Sequence, residues 1–131
     1  MVIGSRLSNL EEVRNFLDQI FCESDLDRRH FNRILLGLSE AVCNSMQHGN
    51  ELKEYKSVFI SVKFERNFMV LEVGDEGCGF DFNQVSNPTI SENIRKERGR
   101  GLFLIRQFAD DLQFFEGGSR VRIKYRLEDE C

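Results

Sequence analysis

Apolar positions recur along this chain with two distinct periods. Leu10, Val13, Leu17, Ile20 and Phe21 fall three and four residues apart, which predicts an amphipathic helix that ends where Glu23, Ser24 and Asp25 interrupt the stripe. Ser8-Asn9-Leu10-Glu11 reads as an S-x-x-E capping box at its start, and the short segment before Ser8 reads as a strand. A second, longer stripe of Phe31, Ile34, Leu35, Leu38, Ala41, Val42 and Ser45 predicts a helix from about Asp27 to His48, with Gly49 and Asn50 as its stop. The period then changes to two. Val58, Ile60, Val62 and Phe64 alternate with Phe59, Ser61, Lys63 and Glu65, and Arg66-Asn67 joins this strand to another, Phe68 to Val73, as a hairpin. A long irregular stretch runs from about Asp75 to Arg98; such stretches are often lids or binding loops. Beyond it, Leu102 to Ala109 reads as a helix, and Leu112 to Phe115 and Val121 to Leu127 as a final hairpin across Gly117-Gly118. Helices grouped early and strands paired as hairpins predict an α+β fold, a two-layer sandwich.

Composition narrows the class without changing that picture. The 131 residues are 40% apolar and 31% charged, with one proline, which fits a single folded domain over residues 1–131 and excludes fibrous and disordered readings. Lys plus Arg is 18 against 22 for Asp plus Glu, so a net charge of −4 provides no broad field for a phosphate backbone, and no direct nucleic-acid partner is expected. No run approaches the roughly 18 uncharged residues of a membrane span, and the N-terminus carries no apolar signal segment, so the expected location is the cytoplasm, with no membrane partner. Cys22, Cys43, Cys78 and Cys131 are irregularly spaced and form neither a zinc set nor a disulfide framework; they read as free thiols. Cys131 also lacks the residues of a prenylation signal.

Three clusters can carry chemistry. Glu40, Asn44 and His48 stand at i, i+4 and i+8 on the second helix, where a carboxylate and a carboxamide one turn apart offer hard oxygen ligands to a hydrated Mg²⁺; the same triplet also suits a polar helix face capped by His48 and Gly49. Gly74-Asp75-Glu76-Gly77-Cys78-Gly79-Phe80 ends a strand. An aspartate there can accept a hydrogen bond from an exocyclic amine such as that of adenine, with glycines letting a flat ring approach the backbone, and the alternative is a plain turn. The segment is not a Walker A loop, since Phe80 and Asp81 stand where Lys and Ser or Thr are required, nor a nucleophile elbow, since Glu76 precedes Cys78 by two. Gly99-Arg100-Gly101 opens a helix and can turn backbone N–H groups toward phosphate, or be an ordinary turn.

Taken in order, the three resemble the GHKL ATPase superfamily of gyrase, histidine kinases and MutL, and most of all the stand-alone anti-sigma-factor serine kinases of bacterial partner-switching systems. Glu40 to Gly49 (E-A-V-C-N-S-M-Q-H-G) looks like the N-box, Asp75 to Phe80 (D-E-G-C-G-F) like the first glycine box, and Gly99 to Ala109 (G-R-G-L-F-L-I-R-Q-F-A) like the second. The resemblance implies a Bergerat fold, a mixed and mostly antiparallel sheet with helices on one face, and a site for ATP and Mg²⁺. By the same resemblance Asn44 holds the metal, Glu40 is the base, Asp75 reads the adenine amine, Gly77 and Gly79 shape the pocket, and Gly99, Arg100, Gly101 and Leu102 form the phosphate-contacting turn. The implied partners are a STAS-domain anti-anti-sigma protein, phosphorylated on serine, and a sigma factor, with the chain acting as a homodimer. The alternative is a non-catalytic ATP-binding adaptor. His48 reads as a capping residue, His30 as a surface histidine, and Phe103, Leu104, Ile105 and Phe108 as core.

Overall fold

A computed structural model of the chain describes residues 1–77, 103, 105–116 and 119–127. Strand β1 (Val2–Gly4) opens the chain, followed by helices α1 (Leu10–Glu23) and α2 (Phe31–Asn44), then strands β2 (Ser57–Glu65), β3 (Phe68–Asp75), β4 (Asp111–Phe115) and β5 (Arg120–Arg126). The strands form one sheet in the order β1-β2-β3-β5-β4, and each of the four described pairings is antiparallel. The β2–β3 and β4–β5 pairs are the two expected hairpins, with β2 carrying the two-residue alternation and Arg66 at φ 55° turning the first of them.

Register sorts the side chains into two faces. Val58, Ile60, Met69, Leu71, Val73, Val121, Ile123 and Tyr125 point to the helices and are buried, together with Val13, Leu17 and Phe21 of α1 and Ile34, Leu38, Ala41 and Val42 of α2. Full burial of such aliphatic and aromatic side chains contributes about 1.5–3 kcal/mol each, which is what holds two helices that lack strong caps of their own against the sheet. The opposite face has no helix on it in the described residues. Its β5 row, Arg120, Arg122, Lys124 and Arg126, is basic, and Arg122 pairs with Glu72 at 2.8 Å. A cavity of about 320 Å³ on this face, over Gly74 and between Phe59 and Arg120, is across the sheet from the helices.

Several local expectations are corrected. Ser8 is inside a 3₁₀ turn (Leu7–Asn9), so Asn9 is the residue before α1, without a side-chain cap bond; its amide nitrogen instead donates to the Gly4 carbonyl at 3.0 Å, and no capping box forms. The second helix is a composite. A 3₁₀ turn (Arg28–His30), capped by Asp27 accepting from the Arg29 amide at 3.0 Å, leads into α2, and α2 passes at Asn44 into a π turn (Ser45–Gly49). His30, expected at the surface, is buried at the N-terminal end of α2, with Arg33 2.9 Å from its Nδ1. Of the last helix, residues 103 and 105–108 are helical: Ile105 is buried as expected, whereas Phe103 and Phe108 are exposed, and Leu104 lies outside the described residues.

Candidate functional site

The π turn, the end of β3 and the two residues after it converge at one end of the sandwich. Bonding in a π turn runs from each amide to the carbonyl five residues back, and here the Asn50 amide donates to the Ser45 carbonyl at 2.8 Å. The widened turn brings Gly49 against the inward-facing carboxylate of Asp75. A Cβ on Gly49 would overlap that carboxylate, and one on Gly77 would run into the Gly49 carbonyl, so both glycines are required by closeness of approach. The chain then leaves through Glu51 and Leu52, both left-handed at φ 54° and 56°.

Asp75 is the last residue of β3, opposite Val58, with its backbone amide bonded to the Ser119 carbonyl at 2.9 Å. Its Oδ1 accepts from the Gly77 amide at 2.8 Å, and the carboxylate accepts from the Ser45 hydroxyl. Burial raises its pKa above the ordinary carboxylate range, against the lowering effect of those two hydrogen bonds and of the nearby Lys56 charge. A half-buried carboxylate with two donors already in place still has lone pairs for a further donor, which is the chemistry that an exocyclic amine satisfies.

Glu40 and Asn44 are both half-buried on the last turns of α2, one α-turn apart, immediately before the π turn that carries Gly49. His48 lies within the π turn, whose five-residue bonding step takes it out of the four-residue register of Glu40 and Asn44. Among the described residues no three His, Cys, Asp or Glu side chains converge as a metal cage. A carboxylate and a carboxamide one turn apart offer hard oxygen ligands of the kind that Mg²⁺ takes alongside phosphate and water. Gly79, Gly99, Arg100, Gly101 and Leu102 lie outside the described residues.

Two residues of this junction were not singled out from the sequence. Ser45 reads there as one more member of a buried stripe, and Asn50 as part of a helix stop; both are buried and hydrogen-bonded into the site. The signal available was a polar side chain at each end of the same short segment, and spacing alone does not separate that from a cap.

A helical layer on one face of an antiparallel sheet, with a strand-end aspartate seated against a glycine after the long helix, defines a histidine kinase-like ATPase domain. The family model of that description matches residues 3–125, and the chain belongs to this family, with the two-layer sandwich of the GHKL, or Bergerat, fold. The anti-sigma F factor of Bacillus licheniformis is 35% identical over 77 residues, 57% of this chain and 53% of that protein. The anti-sigma F factor of Bacillus subtilis (strain 168) is 32% identical over 95 residues, 69% of this chain and 65% of that protein. The chain thus spans between 53% and 65% of the length of these relatives. Among solved structures, the histidine kinase domain of the blue-light activated histidine kinase EL346 from Erythrobacter litoralis superposes with a TM-score of 0.56 over 95% of this chain and 62% of its own, at 17% identity, a likeness of fold. No helix among the described residues is long and apolar enough to cross a membrane.

Proposed function

We propose that the chain is an ATP-binding anti-sigma regulatory factor with serine-protein kinase activity, which holds a sigma factor and phosphorylates a STAS-type anti-anti-sigma antagonist, working as a homodimer in the cytoplasm. The observation that carries this reading is the Asp75 carboxylate, half-buried at the strand end and held between Ser45, Gly49 and Gly77. The anti-sigma F factors among its relatives supply the regulatory context.

In this reading Asp75 accepts the adenine amine, and Gly77 and Gly79 leave room for the ring. Gly99, Arg100, Gly101 and Leu102 contact the phosphates. The carboxamide oxygen of Asn44 holds Mg²⁺, which when bound neutralises phosphate charge. Glu40 takes the proton of the partner's serine hydroxyl as its oxygen bonds to the γ-phosphorus; the bond from that phosphorus to the bridging oxygen breaks, and ADP leaves.

Calorimetric titration with ATP, with and without Mg²⁺, tests the site: the wild type binds in a Mg²⁺-dependent manner, Asp75→Asn and Asn44→Ala do not, and Glu40→Ala binds but transfers no phosphate to a STAS-domain serine. A wild type that binds no ATP refutes the site, and a Glu40→Ala variant as active as wild type removes Glu40 as the base. ATP binding without transfer by the wild type replaces the kinase with a non-catalytic adaptor.

A further inference from the structure

We propose that Asn50 is the positioning residue that sets the orientation of Asp75, and hence the preference of the site for a base carrying an exocyclic amine; the proposal rests on the nucleotide-site reading above. Asn50 is fully buried. Its Nδ2 donates to the Ser57 carbonyl and to Ser5 Oγ, each at 2.9 Å, and its Oδ1 accepts from the Glu76 amide at 2.9 Å. The partners dictate which end of the carboxamide is which, since a carbonyl can only accept and a backbone amide can only donate. Ser5 Oγ in turn donates to the Lys56 carbonyl at 2.7 Å, so one side chain ties together the chain after β1, the start of β2 and the turn after β3.

The consequence for the site lies in two consecutive peptides. The Glu76 amide points to Asn50 and the next amide, that of Gly77, points to Asp75 Oδ1 at 2.8 Å. The Glu76 carboxylate adds a bond from the Ser57 amide, which fastens the same turn to β2. With the Glu76 amide anchored, the Gly77 amide has a fixed direction, and the carboxylate that it orients keeps one presentation toward the pocket. A buried amide with its donors and acceptor satisfied has a single low-energy arrangement, because every alternative leaves a buried polar group unpaired. A loose Asp75 would still offer negative charge to a nucleotide but would no longer distinguish an amine at the base edge from a carbonyl.

ATP and ITP differ in this respect, since ITP carries an oxygen where adenine carries the amine. The test is the ratio of ITP to ATP dissociation constants, by calorimetry with Mg²⁺, for wild type, Asn50→Ala and Ser5→Ala. The expected result is a wild type that prefers ATP, an Asn50→Ala variant whose preference falls by about tenfold or more, and a Ser5→Ala variant with lowered Tm and the wild-type ratio, because the Ser57 carbonyl and the Glu76 amide still fix which way the Asn50 carboxamide points. Equal weakening of both nucleotides in Asn50→Ala overturns the proposal, because that is what a merely structural role produces. If Asn50→Ala does not fold, the wild type decides by NMR: the Asn50 side-chain amide resonances shift more with ATP than with ITP, and equal shifts overturn the proposal. A wild type that binds neither nucleotide overturns the ATP-site reading itself, and one that binds both equally overturns the role of Asp75; either outcome is distinct from a wild-type preference that Asn50→Ala retains.

Discussion

The helical segment that begins with α2 meets the sheet through two glycines, Gly37 in the middle of α2 and Gly49 at the end of the π turn, and the two junctions are built differently. At Gly37 the sheet sends in Tyr125: a Cβ there would overlap the phenol hydroxyl and come within 3.1 Å of Cζ. The hydroxyl is buried with no hydrogen-bond partner among the described residues, Arg33 lies 5.5 Å from the ring centroid, and burial holds the phenol well above its ordinary pKa. At Gly49 the sheet sends in Asp75, whose carboxylate has a backbone donor and a hydroxyl donor, beside an Asn50 side chain that is bonded in three directions. Shape complementarity alone serves the first junction, where a ring fills space. The second spends hydrogen bonds on fixing the direction of one carboxylate, which is what a binding site needs and a core does not.

Perturbing each glycine tests that contrast. Gly49→Ala is expected to have the largest effect, displacing the Asp75 carboxylate and weakening ATP by about 100-fold or more by calorimetry, out of proportion to an overpacking loss of about 1–3 kcal/mol in denaturant unfolding. Gly37→Ala is expected to destabilise the fold by about 2–3 kcal/mol while leaving ATP affinity near wild type in the folded fraction. Adding Tyr125→Phe to Gly37→Ala should recover much of that loss, because it removes the atom that a Cβ meets first, and additivity between the two would refute the clash.

Asp75→Asn should act on stability in the opposite direction to its effect on binding. Since burial raises the folded carboxyl above its unfolded value, the folded chain keeps this proton to a higher pH; the contribution is fully present below the unfolded value and is lost as pH rises through the folded one. Scans of Tm between about pH 4 and pH 7 should therefore fall less steeply for Asp75→Asn than for wild type, with the variant the more stable at neutral pH. The smallest effect belongs to Tyr125→Phe alone: deleting a buried hydroxyl without a partner should change unfolding stability by a gain of about 0.5–1 kcal/mol at most. A loss above that range would mean that the hydroxyl is bonded and that the two junctions are alike.

Much of this was legible along the chain. The stripes of α1 and α2 and the alternation of β2 name much of the buried face, because a helix repeats every three or four positions and a strand every two wherever one side is buried, although Phe64 at the far end of the β2 row is exposed. Asp75 and Gly77 stood out for the same reason that they matter, a carboxylate and a glycine at the end of an apolar strand. Misreadings cluster where a local signal competes with tertiary packing: the capping box at Ser8 gives way to a 3₁₀ turn, and His30, polar on paper, is buried at the start of α2.

By itself the sequence determined the order of elements, the faces that pack and the residue types brought to the strand end, since all of these follow from short-range periodicity and side-chain chemistry. Only the tertiary structure decided that the helix widens into a π turn at Ser45, that Gly49 rests on Asp75, and that Asn50 reaches three separate segments. The partners of Asn50 are 7, 26 and 45 positions away, and no spacing rule carries that information, because the distant ones become neighbours only when the sheet has closed against the helices.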